Sequence, residues 1–507
     1  MSGYHKKHKG NNECLFRDSI RQACIFLDYI FPAPVHSQFD TLSTMDGFAS
    51  YSFGKGKGWR GHLPAAIFRR LFWRQMHVNE TIMTCLRRIH GASTIDAPTL
   101  LFIVPHDATQ PLMGGSVRNH EIARYLAQWF HVKMVVFTRA SKDPAVITMG
   151  PNFEILSFPI IHPGKKRETG ASIADDFFEL MDLIRTAPRL LPYLRSMAPQ
   201  TAVALISSPF PYPAVREALP DVPIVYEAMD VTSEYVSMVD QGRSMQSIKL
   251  ITEVENDLIH KARCIVGVTA SDVDKMAVQF GVSPEKFLLV PNGVNVSQRY
   301  CSIPSHSRQL RSSTGIHRPL ILFVGSVMMA NLEAISYIKN ELAVAVPEAI
   351  FVIMGVRRED FARLPEGQGA FPENLVFTGS LPDISRMKEA VFLLAEIAIA
   401  PMIHGTGSSL KIPDYLAHGK ILLSTEIGAR GHEALHPYFH LVPRDKFAAA
   451  LREILAQLDR DPAAFDCRAK AAREKVKATL DWNVVCAPLA VALRGLCRNQ
   501  PQKENII

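Results

Sequence analysis

The chain has 507 residues, 47% hydrophobic and 21% charged, with a net charge of +7 and eight scattered cysteines. That length exceeds what one hydrophobic core usually supports, so two domains with an appendage are expected, and the composition is that of a soluble protein able to build large cores. No uninterrupted apolar stretch reaches the roughly 18 residues of a membrane span, and the longest candidate, VFLLAEIAIAPMI from Val391, contains Glu396.

The start, MSGYHKKHKGNNECLF, is basic, but Glu13, Arg17 and Asp18 interrupt any apolar signal core, so export is not expected. The cysteines lack the close paired spacing of a metal or redox motif, which predicts reduced thiols in a cytoplasmic protein. His162 and His404 have no partners at ligand spacing, and no metal is expected.

Residues 1–96 form a basic N-terminal extension. Up to Ile95 it carries thirteen Lys/Arg against six Asp/Glu, an excess of seven that equals the charge of the whole chain. Within it, AAIFRRLFWRQM (residues 65–76) mixes Ile67, Phe68, Leu71, Phe72 and Trp73 with Arg69, Arg70 and Arg74. Such a helix either lies in an anionic lipid surface, as a peripheral contact at the inner membrane face, or packs on its own protein with the arginines in water. No basic and aromatic array recurs elsewhere, so a nucleic-acid partner is not expected.

Residues 97–296 alternate short apolar runs with amphipathic ones. Leu100 to Val104, Lys133 to Thr138, Ala204 to Ser208, Pro223 to Ala228 and Cys264 to Thr269 read as buried strands; Asn119 to Phe130, Ala174 to Ser196 and Glu253 to His260 read as helices. Residues 297–319 are polar and breaker-rich, which marks a linker. The alternation then resumes over 320–480, with strands Leu320 to Gly325, Ile350 to Gly355, Leu375 to Gly379, Ile397 to Met402 and Ile421 to Thr425; residues 481–507 form a closing helix and tail. Strands separated by helices imply parallel sheets, hence an α/β chain of two Rossmann-like, doubly wound domains with a cleft between them.

Open parallel sheets bind ligands at the carboxyl ends of their strands. There the first domain has Gly114 and Gly115 before a helix whose cap is expected to be Ser116, either a phosphate-facing turn or a simple loop. The second domain has Gly325-Ser326, Gly379 and the run His404-Gly405-Thr406-Gly407-Ser408-Ser409. Backbone N–H groups, hydroxyls and a helix start in that run make a site for an anion, and Lys411, unfavourable at a helix start by itself, becomes favourable beside a diphosphate. Asp414, three residues on, either accepts from ribose hydroxyls or makes a surface pair with Lys411. Pro413 suggests that the helix begins there and leaves Lys411 in the loop.

The stretch APMIHGTGSSLKIPDYLAHGKILLSTEIGARG (residues 400–431), with VPNGVN at Val290, LILFVGSVMMANLEAI at Leu320 and LDWNVVCAPL around Trp482, resembles the nucleotide-sugar-dependent glycosyltransferases of the GT-B fold, family four. The resemblance covers about Pro98 to Leu496. It implies transfer of a sugar from a nucleoside-diphosphate sugar to an acceptor hydroxyl of a glycan or lipid-linked acceptor. The anomeric configuration is retained, a phosphate oxygen takes the proton, and no cofactor is required.

By that resemblance Gly405 to Ser409 and Lys411 hold the diphosphate, Asp414 stands near the ribose, Gly325, Ser326 and Gly379 line the nucleotide crevice, and Gly115 faces the phosphates from the other domain. Asp230 touches sugar or acceptor, or else caps the following helix. Three departures stand out: no Arg or Lys in GSVMMAN after Gly325, Thr406 in place of a glutamate, and Met229 in place of a histidine. The expected process is synthesis of a surface or extracellular polysaccharide; a catalytically degenerate nucleotide-sugar-binding or scaffold protein is the alternative.

Overall fold

Short runs of Val, Ile, Leu and Phe build two separate sheets in the computed structural model, which describes residues 97–139, 143–160, 172–381, 386–405 and 407–498. The basic extension with its candidate surface helix at 65–76, His162 and Thr406 lie outside the described residues.

The first sheet contains β1 (Thr99–Ile103), β2 (His131–Thr138), β3 (Ala145–Gly150), β4 (Phe153–Pro159), β5 (Thr201–Ser207), β6 (Ile224–Ala228), β7 (Cys264–Gly267) and β8 (Phe287–Leu289), in the order β3-β4-β2-β1-β5-β6-β7-β8. Every pairing is parallel except β3 with β4. All five residues of β1 are buried, because helices cover both faces of a doubly wound sheet. The second sheet holds β9 (Leu320–Val324), β10 (Ile350–Met354), β11 (Leu375–Gly379), β12 (Ile397–Ala400), β13 (Ile421–Ser424) and β14 (His440–Leu441), in the parallel order β11-β10-β9-β12-β13-β14.

Several helices depart from the sequence expectation. Helix α1 runs Gly114–Leu126, so Ser116 is its third residue and Met113 the cap; the Ser116 hydroxyl reaches back and accepts from the Met113 N–H at 3.1 Å. The single helix expected over Ala174 to Ser196 is two, α2 (Ile173–Arg185) and α3 (Leu190–Met197). Pro188 disfavours helical backbone at Ala187, and Arg189 turns the chain with a φ of 65°. Helix α4 covers Thr232–Asp240, and α5 extends over Met245–Lys261, well beyond Glu253 to His260.

The breaker-rich linker carries α6 (Pro304–Ser313), with proline at its first position, where no amide hydrogen is needed. Arg311 on this helix is buried and donates to Glu396 at 2.5 Å, and Arg308 reaches the same carboxylate at 3.3 Å. The charge that interrupts the apolar run at Val391 is thus the anchor of this helix.

After α7 (Lys411–Ala417) and α8 (Pro462–Leu480), the chain returns to the first domain. Val294 N–H donates to Leu480 O at 2.8 Å and Trp482 N–H to Val294 O at 3.3 Å. Short α9 (Trp482–Val485) packs on α1, and α10 (Ala487–Arg498) on β5. Trp482 is 1% exposed and lies where a side chain at Gly293 would stand. Among the described residues no helix is long and apolar enough to cross a membrane.

Candidate active site

The loop after β12 runs from Pro401 into α7. Gly405 (φ +152°) and Gly407 (φ +60°) adopt backbone that other residues rarely take. A Cβ on Gly407 would stand 3.0 Å from Met229 O and 3.8 Å from Asp230 Cβ, so the loop lies directly against the end of β6 in the first domain. Positions Gly114 and Gly115 close the same region: their Cβ positions are 3.1 Å from Leu410 Cδ1 and 3.3 Å from Met229 Sδ. The structure therefore brings Gly114, Gly115, Met229, Asp230, Gly405 and Gly407 to Leu410 into one place.

Among the described residues the backbone N–H groups of Gly405, Gly407, Ser408 and Ser409 have no protein acceptor. His404 is exposed at the head of this loop. Ser408 and Ser409 are fixed through other atoms. The His432 Nε2–H donates to Ser409 O at 2.8 Å and lies 3.0 Å from Ser408 Oγ. Burial lowers the His432 pKa to about 4, so the ring is neutral, and a carbonyl partner places its proton on Nε2. From the first domain, Asn292 Nδ2 donates to Ser408 O at 2.9 Å.

Helix α7 begins at Lys411, two residues earlier than Pro413 suggested. Pro413 falls in the first turn, where a missing amide hydrogen breaks no helical bond. The Lys411 ammonium donates to Asn331 Oδ1 at 3.0 Å and stands 5.1 Å over the Phe323 ring. Burial, then the charge of Arg430, lowers its pKa to about 7.

Lys411 and Asp414 do not pair. Asp414 accepts from Arg299 at 2.9 Å and Lys388 at 2.7 Å, with His418 Nδ1 at 3.5 Å. Burial alone would raise its pKa, but Lys388, Arg299 and His418 hold it well below the ordinary carboxylate range. Glu389 completes the cluster, 3.1 Å from His418 Nε2 and 3.7 Å from Arg299.

Asp230 does not cap α4. The N–H groups of Thr232 and Ser233 donate to Glu255 at 3.0 and 2.8 Å. Burial and the charges of Glu255, Asp272 and Glu227 raise the Asp230 pKa to about 7, so at neutrality it is poised between acid and base.

The remaining glycine ends form a backbone ladder across β9 to β11: Gly325 N–H donates to Met354 O, and Gly355 N–H to Gly379 O, both at 2.8 Å. Asn331 Nδ2 donates to Ser326 O at 3.1 Å, which ties this turn to the partner of Lys411. Gly355 was not singled out from sequence; a Cβ there would stand 2.2 Å from Gly325 O. Among the described residues no group of three His, Cys, Asp or Glu could hold a metal ion.

A glycine loop with open N–H groups at the strand ends of one Rossmann-like domain, faced by a helix start of another, has the geometry that suits an anion. Residues 318–457 match the family of glycosyl transferases group 1. Among solved structures, the sucrose-phosphate synthase from Thermosynechococcus elongatus is similar, with 17% identity and a TM-score of 0.60 over 80% of this chain and 100% of that one. WaaG, a glycosyltransferase involved in lipopolysaccharide biosynthesis, is similar at 17% identity and a TM-score of 0.54, covering 78% of this chain and 100% of its own. Anabaena HepE in complex with UDP-glucose is similar at 13% identity and a TM-score of 0.56, with 78% and 99% covered. No curated protein matches the chain. At these identities the likeness defines the fold, two Rossmann-like domains of the GT-B type. The family match lies over the second domain and supports a glycosyltransferase of group 1.

Proposed function

We propose that the chain moves a sugar from a nucleoside-diphosphate sugar to an acceptor hydroxyl with retained anomeric configuration, in the synthesis of a surface or extracellular polysaccharide. One observation carries the reading: among the described residues the acceptor-free N–H groups of Gly405, Gly407, Ser408 and Ser409 run straight into Lys411, with the start of α1 facing them. Breaking the anomeric bond leaves negative charge on the diphosphate. Donors already in place there stabilise the transition state more than the substrate. The protein supplies this positive potential itself, so no metal is invoked.

In this reading the loop and Lys411 hold the diphosphate, and Gly114 and Gly115 face it from the first domain. Gly325, Ser326 and Gly379 line the nucleotide crevice. Asp414 stands near the ribose, held by Arg299 and Lys388. Asp230 meets the sugar or the incoming hydroxyl, whose proton passes to a phosphate oxygen.

The exposed side chains of Leu112, Met113, Val327, Met328, Met329 and Ile403 follow the ends of β1, β9 and β12. They support an acceptor with an apolar carrier, as a lipid-linked glycan has. The UDP-glucose complex of the similarly folded HepE makes uridine donors the first to try. Protein incubated with nucleotide sugars and a lipid-linked acceptor extract is expected to release nucleotide, and Lys411→Ala to lose most of that release. Equal release by both proteins would remove Lys411 from the diphosphate site.

The engagement of both Asp414 oxygens favours one other reading, a degenerate member that binds nucleotide sugar without turnover. Thermal stabilisation by free nucleotide, with no product on any acceptor, identifies that case. A cytoplasmic location, peripheral at the inner membrane face through residues 65–76, is part of the proposal. Flotation with anionic liposomes checks it: binding that survives removal of residues 1–95 assigns the extension another purpose.

A further inference from the structure

We propose, resting on the diphosphate reading of Lys411 and deepening it, that Asn331 is a positioning residue of the donor site: a neutral acceptor that fixes the Lys411 ammonium beside the glycine loop and leaves its charge for the diphosphate.

Asn331 lies in the first turn of the helix Met329–Tyr337, which follows β9. Its side-chain amide is held on two sides. Nδ2 donates to Ser326 O at 3.1 Å, across the turn that ends β9, and Oδ1 accepts from Lys411 at 3.0 Å, 80 residues further along the chain. Only this orientation of the amide suits both partners: turned over, it would set its hydrogens against the ammonium and its oxygen against a carbonyl. Gly325 makes room for it, because a Cβ there would stand 2.9 Å from Asn331 Cγ. The turn after β9 thus builds a seat for a lysine that belongs to α7.

The other contacts of Lys411 are neutral as well, Met402 Sδ at 3.9 Å and the Phe323 ring at 5.1 Å. Among the described residues no carboxylate comes within ion-pair distance of it. Asp414, on the same helix, is turned to Arg299 and Lys388, and the charged group that acts on the ammonium is Arg430, of like sign. A carboxylate at position 331 would also hold the ammonium, but it would neutralise it, and an incoming diphosphate would have to displace that ion pair. An amide oxygen fixes the place of the charge without cancelling it. Burial and Arg430 lower the Lys411 pKa to about 7, so an entering diphosphate also draws in the proton that completes the charge. The lysine is therefore in position before the donor arrives, and its charge acts on the diphosphate as the anomeric bond breaks.

The test is calorimetric titration of the full chain with UDP between pH 7 and pH 8.5, for wild type, Asn331→Asp and Asn331→Ala, each first checked by thermal melting. Both variants lose the donor to Ser326 O, so the difference between them reports the charge that faces Lys411. Asn331→Asp is expected to bind UDP about tenfold or more weakly than wild type at pH 7 and to show a flat profile, because the added carboxylate keeps Lys411 protonated across the range. Asn331→Ala is expected to lose about fivefold, the weight of one hydrogen bond, and to keep the wild-type fall with rising pH. An Asn331→Asp protein that binds within about twofold of wild type at pH 7, or that falls with pH as wild type does, would overturn the assignment. So would equal losses and equal profiles in the two variants, which mark a merely loosened turn. If both variants fail to fold, Asn331 serves stability and the proposal is wrong. A wild type that binds neither inorganic pyrophosphate nor any of UDP, GDP and ADP fails the underlying reading of the loop, an outcome distinct from failure at Asn331 alone.

Discussion

Asn292 donates its side-chain amide to the carbonyl oxygen of Ser408 at 2.9 Å while accepting from Arg118 at 3.1 Å. One asparagine in the first domain therefore fixes the glycine loop of the second. Arg118 is itself buried against Glu227 at 2.7 Å and donates to Val290 O at 3.0 Å, so the link has a rigid base.

Asn292→Ala removes that link and leaves a part-buried carbonyl without its donor, at a cost of about 1 kcal/mol. Faster amide hydrogen exchange over Ser408 to Ile412 is expected, with the β1 core unchanged. Exchange that matches wild type in the loop would show that it is held by His432 alone.

Nucleotide binding should take up a proton. Lys411 has its pKa lowered to about 7 in the free protein, so above that pH the site loses its charge, and a bound diphosphate restores it. UDP affinity is therefore expected to fall as pH rises from 7, by up to about tenfold per unit. Arginine stays charged over this range, so Lys411→Arg should flatten the profile. A wild-type profile flat between pH 7 and pH 8.5 would contradict the assignment of a neutral-range lysine.

Asp414 stabilises the fold whatever it does to ribose. Asp414→Ala leaves Arg299, Lys388 and His418 around a missing charge, which costs about 3–5 kcal/mol and lowers Tm. The Asp414 pKa is depressed in the folded state, so its contribution is fully present above the ordinary carboxylate value of about 3.9 and is lost as pH falls below it. The stability gap between wild type and variant should accordingly narrow in acid. A gap that stays constant down to pH 2 would rule out the charge cluster as its source.

Trp482→Ala removes a fully buried ring from the return crossing and is expected to cost about 3–5 kcal/mol. Chemical denaturation followed by the signals of the remaining tryptophans checks this; an unchanged midpoint would mean that α9 and α10 are dispensable for the first domain.

The strands legible in the sequence are those buried on both faces, such as LLFI in β1 and IAIA in β12, where a short unbroken apolar run has no other stable place. The edge strand β3 escaped because its residues are exposed, β8 and β14 because they have three and two residues; β4 also escaped, although six of its seven residues are buried. The loop after β12 stood out in the sequence by its glycines, hydroxyls and lysine. Its supports were not: His432 and Asn292 lie 24 and 116 residues from Ser408 and meet the loop only after folding. The family resemblance pointed to the turn after β9 for an arginine, whereas the guanidinium beside Gly405 comes from after β13.

The first domain is finished by helices that follow the second domain in the chain. While a ribosome is still extending the second domain, Gly293 lacks the indole that covers it, and β5 and α1 lack α10 and α9. The amino-terminal half must then wait, incompletely walled, for the 189 residues from Gly293 to Trp482. A premature stop anywhere before Trp482 damages the opposite end of the molecule from the one it truncates.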